Sequence, residues 1–388
     1  MTKAFPPLGG RIMFIAGTRP ELIKVAPVVH QLRAHGNLRV IIVSTTQQAD
    51  LLPAFIGLLG ARIDYRLDVM SPGQSLNALL SRAVAALDPV IAEAAPDLIV
   101  VQGDTTSALA GALAARMRSV PVAHIEAGLR TDDPSNPFPE EANRRLISHI
   151  TTLHCAATER NRTALLNEGI ADRNIVVTGN PVVNALSSAM QAPGKCPEVD
   201  ALLERMQGLK LLVLTTHRRE SFGETLERNL RTLRAFVLEN PDIGMVVPVH
   251  PNPAVKEAIE GLLSDAPRVA LIRPLEYVCF IRLLKAAWLI VSDSGGIQEE
   301  VASLGKPLLV LRKLTERPES IEAGVARLVG DRAEHLEEIL GDRAGLGRWI
   351  DSIKPMANPF GDSNSSARVA EAFAGFLAGS ALKLGATP

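Results

Sequence analysis

The stretch "DLIVVQGDTTSALAGALAARMRSVPVAHIEAG" (residues 97–128) runs from an aliphatic segment through a longer alanine-rich one to a second aliphatic segment. "DLIVVQG" and "PVAHIEA" are apolar without alternation, as strands buried on both faces are, and "TTSALAGALAARMRS" is long enough for a helix between them. A strand–helix–strand succession of this kind makes its strands parallel and covers the sheet with the helix.

The same rhythm extends both ways along the chain. "RIMFIAG", "RVIIVST", "TLHCAA" and "NIVVTG" read as strands of one sheet, and "LLVLTT", "GMVVPV", "RVALIR", "AWLIVS" and "KPLLVL" begin a second series. In that second half Leu226, Leu230, Leu233 and Val237 have the spacing of one buried helix face. Two such series predict an α/β protein of two doubly wound, Rossmann-like domains facing a cleft. The expected boundary lies in "TGNPVVNAL" (178–186), giving an N-terminal domain of residues 1–179 and a C-terminal domain of residues 180–362. The last segment, 363–388, is expected to form a helix that packs back on the first domain.

A chain of 388 residues is long enough for both cores. With 47% hydrophobic residues, 21% charged residues and a formal charge of −1, it has the composition of a soluble globular protein. It lacks the charge excess of a nucleic-acid or anionic-membrane binder. No run approaches the roughly 18 apolar residues of a membrane span, and the N-terminal apolar run is too short for a signal peptide. Cys155, Cys196 and Cys279 are far apart and form no CxxC pair or His/Cys cluster. No metal site is therefore expected, and a reducing cytoplasm is the simplest location.

In doubly wound sheets ligands bind beyond the carboxyl ends of the strands, so each strand exit matters. "GTRPELIK" places Arg19 at a helix entrance and Lys24 just over a turn inside, two cations beside exposed amides that suit an anion. Asp104 in "QGDTTSALA" can cap the following helix or act as an acid. Glu126 in "HIEAG" follows a strand directly with no helix to cap, which favours a functional carboxylate over a structural ion pair. In "PEEANRR", Glu140/Arg144 and Glu141/Arg145 have the i,i+4 spacing of ordinary helix ion pairs, worth about 0.3–0.5 kcal/mol each. His217 in "TTHRRESFGE", beside Arg218, and His250 in "PVHPNP" stand at strand exits of the second half.

The strongest local signal is "SDSGGIQEE". Ser294, Gly295 and Gly296 open a helix whose bare amides a diphosphate can approach closely, and Glu299 and Glu300 lie a turn further on, in reach of ribose hydroxyls. Arg317 in "KLTERPES" marks a second charged helix start. The dinucleotide fingerprint GxGxxG and the ATP-type GxxxxGK[ST] are both absent.

Taken in order, "GTRPELIK", "VQGDTTSALA", "HIEAGLRT", "PEEANRR", "HRRESFG", "PVHPNP", "SDSGGIQEE" and "LTERPES" resemble the non-hydrolysing UDP-N-acetylglucosamine 2-epimerases over nearly the whole chain. The resemblance implies a glycosyltransferase-B-like architecture, a homodimer, a UDP-sugar substrate and an isomerase that needs no cofactor. It implies that Arg19, Lys24, Asp104, Glu126, Glu140 and His217 surround the reacting sugar and diphosphate, with Arg144 supporting them. Ser294, Gly296, Glu300 and Arg317 would hold UDP, and Phe280 would lie beside the uracil. The chemistry implied is elimination of UDP to 2-acetamidoglucal, then re-addition with the C2 proton returned to the opposite face. Asp104 and Glu126 are the expected proton pair, with Glu140 and His217 tuning charge and assisting UDP departure.

The chain also departs from the family pattern. Where substrate-activated members carry "GQH" or "AQH", it has "TTQQAD" (45–50), keeping Gln47 and placing Gln48 where the His would be. Gln47, Arg218 and His250 match a second, allosteric site, and this departure points away from activation by substrate. Leu275 stands where some members contact the base with a polar residue, and "GNPVVN" replaces "GNTVID". A modified substrate, such as a 2,3-diacetamido or uronic acid sugar nucleotide, is therefore the alternative, with a UDP-sugar glycosyltransferase a more distant one.

Overall fold

The run Gly10–Ala16, GRIMFIA, is buried almost throughout, as a strand with helices on both faces must be. The computed structural model describes residues 9–34, 36, 38–45, 62–71, 73–131, 133–192, 195–218, 222–330, 332 and 334–384. Within it the chain divides into two units, Met1–Ala185 with Phe360–Pro388, and Leu186–Pro359.

The first unit holds strands β1 (Gly10–Ala16), β2 (Leu38–Ser44), β3 (Tyr65–Arg66), β4 (Leu98–Gln102), β5 (Val122–Ala127), β6 (Leu153–Ala156) and β7 (Ile175–Val177). They form one parallel sheet in the order β3-β2-β1-β4-β5-β6-β7. Alternation along β1 sends Ile12 and Phe14 to one face, among Leu22, Val25, Val29 and Phe373. Met13 and Ile15 go to the other, among Leu87, Ile91, Ala108 and Ala112. Phe14 and Phe373 lie with ring centroids 6.3 Å apart, so the C-terminal helix Ser365–Leu384 is part of this unit's core.

The second unit holds β8 (Lys210–Thr215), β9 (Ile243–Pro248), β10 (Val269–Ile272), β11 (Leu289–Ser292), β12 (Leu308–Val310) and β13 (Ala326–Leu328), parallel and ordered β10-β9-β8-β11-β12-β13. Leu226, Leu230, Leu233 and Val237 of the helix Glu224–Glu239 are all buried, on one side of the sheet. Burying a side chain of this kind contributes roughly 1.5–3 kcal/mol.

One feature differs from the sequence expectation of separate thiols. Cys196 and Cys279 are joined as a disulfide, while Cys155 is free and buried. Their 83-residue separation hides the fact that Cys196 caps the helix Pro197–Arg205 and Cys279 sits on the helix Tyr277–Ala286 beside it. An ion pair from Arg282 to Asp200 at 2.6 Å links the same two helices. Among the described residues, no helix is long and apolar enough to cross a membrane.

Each sheet reverses its winding once, between β1 and β4 and between β8 and β11. Such switch points open crevices at the carboxyl ends of the strands. The residues found there are Gly17-Thr18, Gly103-Asp104, Thr216-His217 and Asp293-Ser294.

Candidate functional site

In the first unit the exits of β1, β4 and β5 are neighbours, because β4 pairs with both of the others. The cap of the helix Thr106–Met117 is Thr105, whose Oγ1 accepts from the Ala108 amide at 3.0 Å. Asp104 is thus not the cap. Its Oδ2 accepts from Arg144 Nε at 2.9 Å and from Nη2 at 2.6 Å, a two-pronged contact from a guanidinium that is itself 2% exposed.

Arg144 comes from the helix Glu140–Ile150, whose buried face carries Glu141, Asn143, Arg144, Ile147 and Ser148. Glu141 is fully buried and accepts from the Thr131 amide at 3.2 Å, Arg144 Nη1 at 2.8 Å and Arg145 Nε at 3.0 Å. The Glu141/Arg145 spacing, which alone reads as a surface pair, belongs to a buried anchor under Asp104. Glu140 opens the same helix, half-buried, after a loop with cis bonds at Asn136–Pro137 and Phe138–Pro139.

Glu126, the last residue but one of β5 and not the residue after it, has a left-handed backbone, φ 68°, at a register shift between Ile125 and Ala127. A non-glycine residue costs on the order of 1–3 kcal/mol there and persists only where its surroundings over-determine it. Its Oε2 accepts from Lys24 Nζ, from Gln102 Nε2 at 3.0 Å and from Asn180 Nδ2 at 2.8 Å. One cation and two amides thus converge on one oxygen of a residue 5% exposed.

Two further buried groups hold the strand exits. Glu21 accepts from the Gly17 and Thr18 amides and the Thr18 hydroxyl at 2.7–2.9 Å, and from Thr105 Oγ1 at 2.7 Å. It therefore fastens the entrance that carries half-buried Arg19 to the turn that carries Asp104. Burial raises its pKa above the ordinary value, against the hydrogen bonds from Thr105 and Thr18. His124 lies fully buried with Nε2 2.7 Å from the Gly103 carbonyl, and burial pushes its pKa down to about 4. It is neutral, and Nε2–H donates to the residue before Asp104.

In the second unit, β8 and β11 pair in register Thr215↔Ser292, which brings the residues after them together. Asp293, fully buried, accepts on its carboxylate from Thr216 Oγ1 at 2.8 Å and from the amides of His217 and Arg218 at 3.0 Å. His217 Nδ1 lies 3.1 Å from Asp293 Oδ1. Burial alone would raise the Asp293 pKa, but the His217 ring and these amides outweigh it and hold the carboxyl well below the usual range. The His250 ring stacks on His217 at 5.9 Å, so two of the residues matched to a second site, His250 and Arg218, adjoin His217. Gln47, the third, lies outside the described residues.

The helix Gly295–Leu304 begins at Ser294, which makes no side-chain cap bond. A Cβ on Gly295 would meet Arg317 Nη1 at 2.6 Å, so that glycine is needed by the protein itself. A Cβ on Gly296 would meet nothing nearer than Ser294 Oγ at 3.9 Å, so that position faces open space. Arg317 is fixed by Glu299, to which Nε donates at 2.8 Å, and by Glu316. Tyr277 donates its hydroxyl to Glu300 Oε1 at 2.8 Å, from the helix that also carries half-buried Phe280.

The described sequence-based candidates thus fall into two groups, one in each unit. Reading along the chain missed Gln102, Asn180, Glu21, Asp293 and Tyr277, while Glu299, expected with Glu300 at ribose hydroxyls, and Glu316 are found on Arg317. Each residue missed is a polar one whose partner is a functional residue on another element, or on the same turn, and each is invisible without the tertiary pairing.

A family model described as UDP-N-acetylglucosamine 2-epimerase matches residues 30–374. The chain is 42% identical over 373 residues to the probable UDP-N-acetylglucosamine 2-epimerase of Ralstonia nicotianae, covering 95% of this chain and 100% of that one. It is 40% identical to the UDP-N-acetylglucosamine 2-epimerase of Salmonella typhimurium, covering 93% and 98%. The crystal structure of UDP-GlcNAc 2-epimerase from Neisseria meningitidis bound to UDP-GlcNAc matches with a TM-score of 0.88 at 37% identity, covering 94% of this chain and 99% of that one. The α/β, glycosyltransferase-B-like class of the fold is shared with it.

Proposed function

The chain belongs to the UDP-N-acetylglucosamine 2-epimerase family of isomerases, and we propose that it interconverts UDP-N-acetylglucosamine and UDP-N-acetylmannosamine without hydrolysis, by elimination and re-addition of UDP. The observation that carries this reading is the pair of carboxylates, Asp104 and Glu126, at neighbouring strand exits, each held by a buried cation.

The hydrogen on C2 is not acidic, because no carbonyl adjoins that carbon. In the proposed step a carboxylate takes the C2 proton while the C1–O bond to the diphosphate breaks, and the electron pair forms the C1–C2 double bond of 2-acetamidoglucal. The diphosphate oxygen then re-forms the bond to C1, and the second group, which enters the cycle as the carboxylic acid, delivers its proton to the opposite face of C2; the two have then exchanged protonation states, as the reverse reaction requires. Two proton-handling groups fixed in place meet that requirement. The three donors on Glu126 Oε2 and the Arg144 fork on Asp104 supply the fixing.

We assign UDP to the second unit. The uncapped amides after Ser294 and the open space at Gly296 suit a diphosphate, Arg317 adds positive charge, and Glu300 suits a ribose hydroxyl. His217 assists the departing diphosphate. Stabilising the charge that develops there is the largest single demand of the reaction.

The test is incubation with UDP-N-acetylglucosamine, its manno epimer and their 3-acetamido and uronic acid forms in deuterated water, followed by proton NMR. Epimerisation with deuterium entering C2 supports the proposal. Neither product nor exchange with any of them removes it.

A further inference from the structure

We infer that Asp293 is a positioning residue for His217: it holds the imidazole by its Nδ1–H, leaves Nε2 as the nitrogen that faces a ligand, and acts on the reaction through that ring. The deduction starts from the carboxylate. Asp293 is fully buried and accepts from Thr216 Oγ1, the His217 amide and the Arg218 amide. A carboxylate that accepts from all of these is ionised, in keeping with a pKa held below the usual range against its burial. An ionised carboxylate has no proton to donate. His217 Nδ1, 3.1 Å from Oδ1, must therefore be the donor, which leaves Nε2 as the nitrogen that exchanges a proton with a ligand.

The surroundings fit that role. The His217 side chain is 39% exposed while Asp293 is fully buried, so a ligand can reach the ring but not its anchor. The His250 ring stacks at 5.9 Å with a 30° tilt and closes one side. Asp293 also directly precedes Ser294, so the turn that presents the helix amides is the turn that orients the imidazole.

Departing UDP would accept from Nε2–H of the protonated ring, a role that rests on the epimerase reading; the anchored Nδ1–H does not. The experiment separates the two. Nitrogen-15 NMR of the histidine rings, at a pH where His217 is neutral, is recorded for the wild type and Asp293→Asn, beside kcat and KM for Asp293→Asn, His217→Asn and the double variant. The wild type is expected to show His217 protonated on Nδ1, and Asp293→Asn a mixture of tautomers. Each single variant is expected to lose about 10²-fold in kcat with little change in KM. The double variant is expected to be no slower than His217→Asn, because residues acting as one unit are not additive. Losses that multiply, an unchanged kcat or an unchanged tautomer in Asp293→Asn would each overturn the inference.

Asp293→Asn could fail simply by loosening the turn, so Thr216→Val serves as the second variant. It removes a donor to the same carboxylate and leaves the Nδ1 contact. It is expected to keep the wild-type tautomer and to lose less kcat than Asp293→Asn; an equal loss would make Asp293 a turn anchor only. A wild type without epimerase activity would defeat the functional reading while the tautomer still judges this one.

Discussion

Arg144 directs both Nε and Nη2 to one oxygen of Asp104, at 2.9 and 2.6 Å, while its Nη1 donates to fully buried Glu141 at 2.8 Å. A single guanidinium thus connects a strand-exit acid to the interior of the unit. Arg144→Lys keeps a charge but cannot reproduce the fork. It is expected to leave the chain folded and to lower kcat about 10²-fold or more, through misplacement of Asp104. Arg144→Ala also deprives Glu141 of a buried partner and should destabilise by about 3–5 kcal/mol. Urea denaturation beside steady-state kinetics checks both.

The two glycines of "SDSGG" should answer differently. Gly295→Ala pushes a methyl into Arg317, whose guanidinium is pinned by Glu299 and Glu316, so stability and UDP affinity should both fall. Gly296→Ala meets no protein atom nearer than Ser294 Oγ at 3.9 Å and replaces a glycine in the first turn of the helix, so stability should hold or rise, by at most about 0.5–1 kcal/mol. UDP affinity should nonetheless fall about tenfold or more, since the methyl occupies the approach to the helix amides. Calorimetric titration with UDP and thermal unfolding separate the signs; a Gly296→Ala protein that binds UDP normally argues against the diphosphate position.

Much of the architecture could be read from the chain because parallel strands announce themselves: "RIMFIAG" and "LLVLTT" are apolar on both faces and fall within a residue of β1 and β8. The sites were legible in outline for a related reason, since His217 and Asp104 closely follow such runs and Glu126 stands at the end of one. What could not be read is what holds them. Asp293 looks like an ordinary helix-start residue, and its partner His217 is 76 positions away. Gln102 and Asn180 reach Glu126 across 24 and 54 positions. Glu141 has the spacing of a surface pair, and only the packing of its helix shows that it is buried. Periodicity reports which face of an element is apolar; it carries no information on which polar group crosses to a neighbour.

Asn180 offers a direct test of the Glu126 environment. Asn180→Asp replaces the donor 2.8 Å from Glu126 Oε2 by a second acceptor and sets two carboxylates together. The expected result is a fall in kcat of about tenfold or more with UDP affinity unchanged, because the proposed UDP contacts lie in the other unit. Retained kcat would show that Glu126 does not need that contact.

Stability should fall in mild acid, and His124 predicts where. Its pKa drops from 6.5 to about 4 on folding, so below 6.5 the unfolded chain binds a proton that the native protein does not. The slope reaches about 1.4 kcal/mol per pH unit, and roughly 3 kcal/mol is lost by pH 4. His154, also lowered by burial, adds in the same direction, while Glu21, raised by burial, takes up a proton in the native protein first and opposes them. Asp293 contributes only further down, its stabilisation disappearing as pH falls below the ordinary carboxylate value toward its depressed one. His124→Gln keeps a donor for the Gly103 carbonyl without titrating. It should flatten the stability profile between pH 6.5 and 4 in urea denaturation, relative to the wild type.

The most direct test of elimination and re-addition follows the bond between C1 and the diphosphate. UDP-N-acetylglucosamine labelled with oxygen-18 in that bridging position is incubated with the protein, and the label is located by phosphorus NMR in recovered substrate and in the manno product. If UDP leaves C1 and adds back, the label spreads from the bridging to the non-bridging oxygens of the same phosphate. Epimerisation with the label still wholly in the bridge, and with no 2-acetamidoglucal or UDP released on prolonged incubation, would contradict the account, in which UDP leaves C1 and its terminal phosphate turns before adding back.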